Sequence, residues 1–277
     1  MSVTKIATKI SHRMFSSVCV SAAQFCPTLC APFENVKKMS SLVKYAVQVP
    51  ATMHIVVFPE LALTGYSLTP DDIQGLAQKF DVGRGMVGPY IRLMAKVART
   101  NNCYVAFGFP GVKRVVVDGS YQDKYHNAAA LIGPTGSIFT YAVKRSLWGP
   151  DWLWAEAATE PQKPVVTLPN GLRVGMLICR DLNNTDPVTE EPYIKTGDAD
   201  LVLGLTSWGK GEWPSSSWID FVRDTSSWLA ISNRYGEEPY AEFQGGPCIV
   251  SPKGKVHFKG MVPNTDCIVS TMLEGTC

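Results

Sequence analysis

The sequence predicts an α/β domain of two sheets packed face to face with helices outside, and three observations carry that prediction. Strand-like and helix-like segments alternate from residue 18 to 107, and a stretch of strands joined only by turns follows. Strands and helices then fill the C-terminal half, with no linker, internal repeat or low-complexity segment between the halves. At 277 residues and 45% hydrophobic content, the chain can bury a large core but is short for two enzymatic domains. Residues 17–277 are therefore read as one domain, preceded by an extension over residues 1–16.

Each element has its own justification. Val18 to Phe25 is an apolar run of strand length. Between Glu34 and Val49, apolar Val36, Met39, Leu42, Val43 and Ala46 recur at helical spacing. His54 to Phe58 reads as a second buried strand, Val87 to Arg99 as a helix and Cys103 to Phe107 as a third strand. Val112 to Val117, Asn127 to Ile132 and Ser137 to Val143 are strands, the last two linked by the hairpin signal Gly133-Pro134-Thr135-Gly136. After the turn signal Pro169-Asn170-Gly171, Val174 to Ile178 is a strand buried on both faces. A short helix is expected at Glu190 to Thr196, a strand at Leu201 to Gly204, a helix at Ser216 to Thr225 and a strand at Trp228 to Ser232. Two strands, Gly246 to Val250 and Lys255 to Phe258, flank the turn at Ser251-Pro252-Lys253-Gly254.

Charge and cysteine content narrow the function classes. The formal net charge is +2, from 26 basic and 24 acidic residues without a basic block, so neither nucleic acid nor a membrane surface is expected as partner. Eight dispersed cysteines in a chain of this size point to reduced thiols in a cytoplasmic protein rather than a disulfide framework. Residues 1–16 carry Lys5, Lys9, His12 and Arg13 among Ser and Thr with no acid, so a mitochondrial address is the alternative. Without a C-x-x-C pair or paired histidines, no metal is expected.

Three apolar strands end in an ionisable group: Glu60 after Pro59, Lys144 after Val143, and Cys179 after Ile178. A strand's C-terminal end is where open α/β sheets bind ligands. A carboxylate, an ammonium and a thiol converging there supply a base, an oxyanion stabiliser and a nucleophile. The plainer reading of each alone is a solvated rim residue or, for Cys179, a small hydrophobe in the core.

The flanking words change that balance. PELALTGY around Glu60, an aromatic-x-x-Lys at Lys144, G-x-x-Ile-Cys-x-Asp at Cys179, SNRYGEE (232–238) and GGPCIVSPKGKV (245–256) occur in the order and rough spacing of a known family. From about Val18 to Ser270 the chain resembles the nitrilase superfamily of carbon–nitrogen hydrolases. That resemblance implies a four-layer α-β-β-α sandwich with Glu60 as general base, Lys144 as oxyanion donor and Cys179 as nucleophile. It also implies a second glutamate about eleven residues after the lysine, for which Glu156 is the best match and Glu160 the fallback. A homodimer or larger homo-oligomer follows too, packed through helices after the cysteine, with Trp218, Ile219, Phe221 and Val222 as its apolar face. The chain departs from the family in CRDLNNTDP (179–187), which lacks the usual Arg and Pro-Glu; Asp186 before Pro187 is expected to cap a helix there.

The activity these residues imply is hydrolysis of a small amide through a Cys179 thioester, without cofactor. The thiol pKa is expected to be depressed by Lys144. Tyr66, Trp148, Arg180 and Trp208 are the expected substrate-binding residues, with Trp152 and Trp154 also near the catalytic ends. A nitrile substrate and a catalytically silent ligand- or partner-binding module are the alternatives.

Overall fold

A computed structural model describes residues 17–81, 86–158, 165–183, 192–209, 211, 214–257 and 264–273. In chain order the elements are β1 (Val18–Phe25), α1 (Pro32–Ala46), β2 (Met53–Val57), α2 (Pro70–Leu76), β3 (Gln78–Asp81), β4 (Met86–Val87) and α3 (Pro89–Thr100). There follow β5 (Tyr104–Val117), β6 (Ser120–Ile132), β7 (Ile138–Val143), β8 (Val165–Thr167), β9 (Arg173–Ile178) and β10 (Leu201–Thr206). The chain closes with α4 (Ser216–Thr225), β11 (Trp228–Glu238), β12 (Ala241–Gln244), β13 (Cys248–Val250) and β14 (Cys267–Met272).

The strands form two sheets, β7-β6-β5-β2-β1-β14 and β8-β9-β10-β11-β13. The sheets meet where β1 pairs with β11 at Gln24↔Asn233 and Phe25↔Arg234 only, whereas β14 pairs with six residues of β1. Alternation of side chains builds the layers. Val18, Val20 and Ala22 of β1 face Val174, Met176 and Ile178 of β9 and Leu201, Leu203 and Leu205 of β10 in a core between the sheets. Ala23 and Phe25 point the other way, onto Val36, Met39 and Val43 of α1 and Ile91 and Met94 of α3. On the far side, Leu177, Val202 and Leu229 pack against Trp218 and Val222 of α4. The result is the expected four-layer α-β-β-α sandwich, and burial on both faces explains why the strand sequences are near-continuous apolar runs.

Differences from expectation have local causes. β5 runs unbroken through Gly108-Phe109-Pro110-Gly111, which reads as a break, because its ladder with β6 continues from Val105↔Ile132 to Val117↔Ser120. α2 is short, but Thr69 caps it: its Oγ1 accepts from Asp72 N, while Asp72 Oδ2 accepts from Thr69 N at 2.9 Å. Residues 192–196 are irregular, so the described part of the expected Glu190–Thr196 helix is not helical. Of the expected Lys255–Phe258 strand, Val256 makes one bridge to Val250, and Phe258 lies outside the described residues. Also outside them are residues 1–16, Glu160 and Asp186-Pro187. On α4, Trp218 and Val222 are fully buried against their own sheet and so are not available for the subunit contact expected of them; Ile219 and Phe221 are half-buried.

The candidate active site

The three strand ends converge. Glu60 follows β2, Lys144 follows β7 and Cys179 follows β9, and all three side chains are buried. Glu60 is driven inward by its own loop. Gly108 N donates to Pro59 O at 3.1 Å, Leu63 N donates to Gly108 O at 3.1 Å, and Leu61 takes φ +47°. A Cβ on Gly108 would sit 2.4 Å from Leu61 N and 2.8 Å from Glu60 Cα, so only glycine allows this approach.

Lys144 Nζ lies 2.6 Å from Glu60 Oε1 and 2.6 Å from Asp151 Oδ2, and all three side chains have zero exposure. Asn127 Nδ2 bridges the acids, donating to Glu60 Oε1 at 2.8 Å and Asp151 Oδ1 at 2.9 Å. Behind them Tyr66 Oη donates to Trp148 O at 2.9 Å and lies 3.3 Å from Asp151 Oδ2. Such a set is stable only because each charge has a partner; removing one partner of a buried pair typically costs about 3–5 kcal/mol.

The second acid is therefore Asp151 and not Glu156. Glu156 is half exposed and ion-paired to Lys124 at 2.7 Å on the outside of β6. Asp151 reaches Lys144 because it sits in the 3-10 turn Gly149–Leu153, with Oδ2 accepting from Trp148 N at 3.1 Å. The signal for it is the Gly149-Pro150-Asp151 turn, seven residues after the lysine. Asn127, at the buried end of β6, carries no such signal: its position emerges only when β6 pairs with β7.

Cys179 has φ +49°, a left-handed conformation unusual for a non-glycine residue, which turns the chain out of β9 into a short 3-10 helix. Burial first and the Glu60 carboxylate second push its thiol above the ordinary range, and Lys144 only partly opposes them. The expected depressed pKa is thus corrected. With two carboxylates and one ammonium already buried together, a thiolate would add a second unbalanced negative charge. Burial and Asp151 likewise raise Glu60, against the pull of Lys144. Burial works against the Lys144 charge, but Glu60 and Asp151 together hold the ammonium above its usual range. Among the described residues Glu60 Oε2 has no hydrogen-bond partner, so it is a free acceptor in the cluster.

Asp181 and Asn233 hold the walls. Burial pushes Asp181 up to about 6. Its Oδ1 accepts from Ser146 N at 2.8 Å and Arg145 N at 3.2 Å, tying the turn after Cys179 to the one after Lys144. Asn233 Oδ1 accepts from Thr206 Oγ1 at 2.9 Å and Trp208 N at 2.8 Å, fixing the segment that follows β10.

Above Cys179 opens a cavity of about 360 Å³, bounded by Trp148, Arg180, Asn183, Ser207, Trp208 and Gly209. Three of the four expected substrate-binding residues are here. Trp208 stacks edge-on against Trp218 at 5.2 Å, so the wall on that side is backed by α4. Tyr66 is not among the lining residues: it is 1% exposed, packs with Trp154 and Phe243, and braces Asp151 from behind. Trp152 is exposed to solvent and also stands off the cavity.

A family model described as carbon-nitrogen hydrolase matches residues 19–259. The chain belongs to the carbon-nitrogen hydrolase family. This carbon-nitrogen hydrolase is 24% identical over 244 residues to a probable nitrilase of Schizosaccharomyces pombe, covering 86% of this chain and 82% of that protein. It is 26% identical over 182 residues to the protein N-terminal amidase of the same yeast, over 65% of this chain and 60% of the relative. Its fold matches, with a TM-score of 0.74 at 20% identity, a mutant of the amidase from Nesterenkonia sp. AN1. That match covers 93% of this carbon-nitrogen hydrolase and 90% of the amidase, whose active-site cysteine carries the acetamide moiety of fluoroacetamide.

Proposed function

We propose that the chain is an amidase that cleaves the C–N bond of a small amide through a thioester on Cys179, with Glu60 as general base and acid, Lys144 as oxyanion donor and Asp151 as the acid that orients Lys144. One observation carries the reading: the fully buried Glu60–Lys144–Asp151 cluster, with a free carboxylate oxygen, beside a cysteine that faces a cavity in a left-handed turn.

The raised thiol pKa sets the order of events. Sγ attacks the carbonyl carbon as its proton passes to Glu60, so a free thiolate need not accumulate. The C–S bond forms and the carbonyl π pair moves to oxygen. Lys144 has three N–H donors, two of them committed to Glu60 and Asp151, which leaves the third for the oxyanion beside the backbone N–H of Arg180. Losing one such donor typically costs about 2.7–4 kcal/mol of transition-state stabilisation. Collapse of the adduct breaks the C–N bond, and the leaving nitrogen takes the proton from Glu60 as ammonia or an amine. Water then attacks the thioester carbon while Glu60 takes its proton; the C–S bond breaks as the carboxylic acid forms, and Glu60 returns the proton to the departing Cys179 Sγ.

A panel of primary amides, ω-amides, N-carbamoyl amines and nitriles tests this, with ammonia release and intact mass as readouts. Ammonia from amides together with acyl mass on Cys179 is the expected result. Ammonia from nitriles alone would reassign the substrate, and neither ammonia nor adduct across the panel would replace catalysis with ligand binding.

A further inference from the structure

A second buried ion pair lies outside the Glu60–Lys144–Asp151 cluster. Arg234 and Glu238 of β11 have side-chain exposures of 0% and 4%, and Arg234 Nη2 stands 2.6 Å from Glu238 Oε1. Residues four apart on an extended strand are separated by about 13 Å along the backbone, and Gly236 at φ +99° bends β11 between these two. The other oxygen, Glu238 Oε2, crosses to the first sheet. It accepts from Tyr66 N at 2.9 Å and from Ser67 N at 2.6 Å, in the loop that runs on from Glu60. Within that loop Thr64 N and Gly65 N donate to Leu61 O, and Leu68 N donates to Tyr66 O, so the two buried amides in between take their acceptor from β11. Gly65 leaves room for it, since a Cβ there would lie 2.8 Å from Glu238 Oε1. Aromatic contacts close the ring: the Arg234 guanidinium lies 4.2 Å over Phe243, and Phe243 meets Tyr66 edge-on at 5.6 Å.

We infer that Glu238, held by Arg234, is a positioning residue for the hydrolysis and acts through Tyr66 on Asp151 and Lys144. The inference rests on the amidase reading above and extends it to a carboxylate on the second sheet. From the backbone that Glu238 grips, the Tyr66 side chain reaches the 3-10 turn at 149–153. There Oη donates to Trp148 O at 2.9 Å and lies 3.3 Å from Asp151 Oδ2, the same oxygen that stands 2.6 Å from Lys144 Nζ. The aromatic ring is rigid, so a shift of the Tyr66 backbone is passed on to its hydroxyl. Without the Glu238 acceptor the amides of Tyr66 and Ser67 are left buried and unpaired, and the loop must move to satisfy them. Tyr66 Oη then leaves Asp151, and Lys144 loses the alignment that aims its third N–H at the oxyanion. A misplacement of about 1 Å in such a group can cost roughly 100-fold in rate.

Ammonia release from butanamide, hexanamide and glutaramide by the intact protein tests this. Glu238→Gln, assayed well below its melting temperature, is expected to lower kcat about 10- to 100-fold while KM changes less than about threefold, because the lost alignment matters in the transition state. Tyr66→Phe is expected to show a fall of the same kind, and adding Glu238→Gln to it to lower kcat less than about threefold further, because both substitutions break one path. Glu238→Asp keeps a charge opposite Arg234 but ends one methylene short of the two amides, and its kcat is expected between wild type and Glu238→Gln. A pair that only braces the fold gives another pattern: Glu238→Gln lowers the melting temperature and leaves kcat of the folded protein unchanged. That result, or kcat losses from Glu238→Gln and Tyr66→Phe that multiply as for independent sites, overturns the inference while the amidase stands. If the wild type releases no ammonia from any amide and carries no acyl mass on Cys179, the amidase reading fails and this inference falls with it. Should Glu238→Gln not fold, Glu238→Asp alone and combined with Tyr66→Phe carries the same comparison.

Discussion

Cys179 differs from Cys103 and Cys248 in surroundings rather than in burial. All three thiols are buried, and burial alone pushes Cys103 and Cys248 each up to about 12. Those two lie in apolar layers, Cys103 under α1 and α3 and Cys248 under α4. Cys179 is raised as well, yet it is turned by a positive φ toward a cavity and stands within the field of Glu60, Lys144 and Asp151. Burial therefore does not by itself set Cys179 apart from the other two. The difference is a nearby carboxylate, Glu60, with an oxygen unpartnered among the described residues, and an open cavity beside the thiol.

The largest effect that would break this comparison is loss of turnover. Cys179→Ala is expected to lower kcat by at least about a thousandfold and remove the acyl mass while the protein stays folded, whereas Cys248→Ala leaves the adduct intact and lowers the melting temperature through the cavity it creates. Equal loss of activity in both, measured by ammonia release alongside thermal unfolding, would erase the distinction. Next in size is the cluster itself. Lys144→Met leaves Glu60 and Asp151 facing each other without a cation, and a destabilisation of about 3–5 kcal/mol is expected in urea unfolding. Glu156→Gln, at the half-exposed Lys124 pair, is the control and should stay within about 1 kcal/mol.

The smallest effect sharpens the comparison through pH. Glu60 must be ionised to take the thiol proton, and burial raises its pKa. The acid limb of kcat/KM is therefore expected above the ordinary carboxylate range, with activity rising as pH rises through it and lost below it. Iodoacetamide labelling of Cys179 should follow the same limb, and Glu60→Gln should slow it toward the rate of Cys103. A labelling rate that instead rises only with thiol ionisation at high pH would show that Glu60 is not the acceptor.

Several of these features were legible in the chain alone. Apolar runs ending at Glu60, Lys144 and Cys179 placed three ionisable groups at strand ends, because the near-continuous apolar pattern of a strand buried on both faces stops where the chain leaves the sheet. Helices α1 and α3 followed from 3.6-residue periodicity. What failed was whatever depends on a partner strand or a turn. Gly108 and Pro110 looked like a break until the β6 ladder ran through them. Asp151 was passed over for Glu156 because spacing along the chain does not say which acid a 3-10 turn swings inward.

The sequence by itself determined the layer order and which three ionisable residues, Glu60, Lys144 and Cys179, stand at the ends of buried strands, since these are set by patterning and local words. Only the tertiary structure decided the second acid, the bridging by Asn127, the brace role of Tyr66 and the direction of the Cys179 pKa shift. The reason is physical: patterning fixes which face a residue shows to the core, but the charge balance of a buried site is a sum over residues from five separate segments, and no one of them carries it.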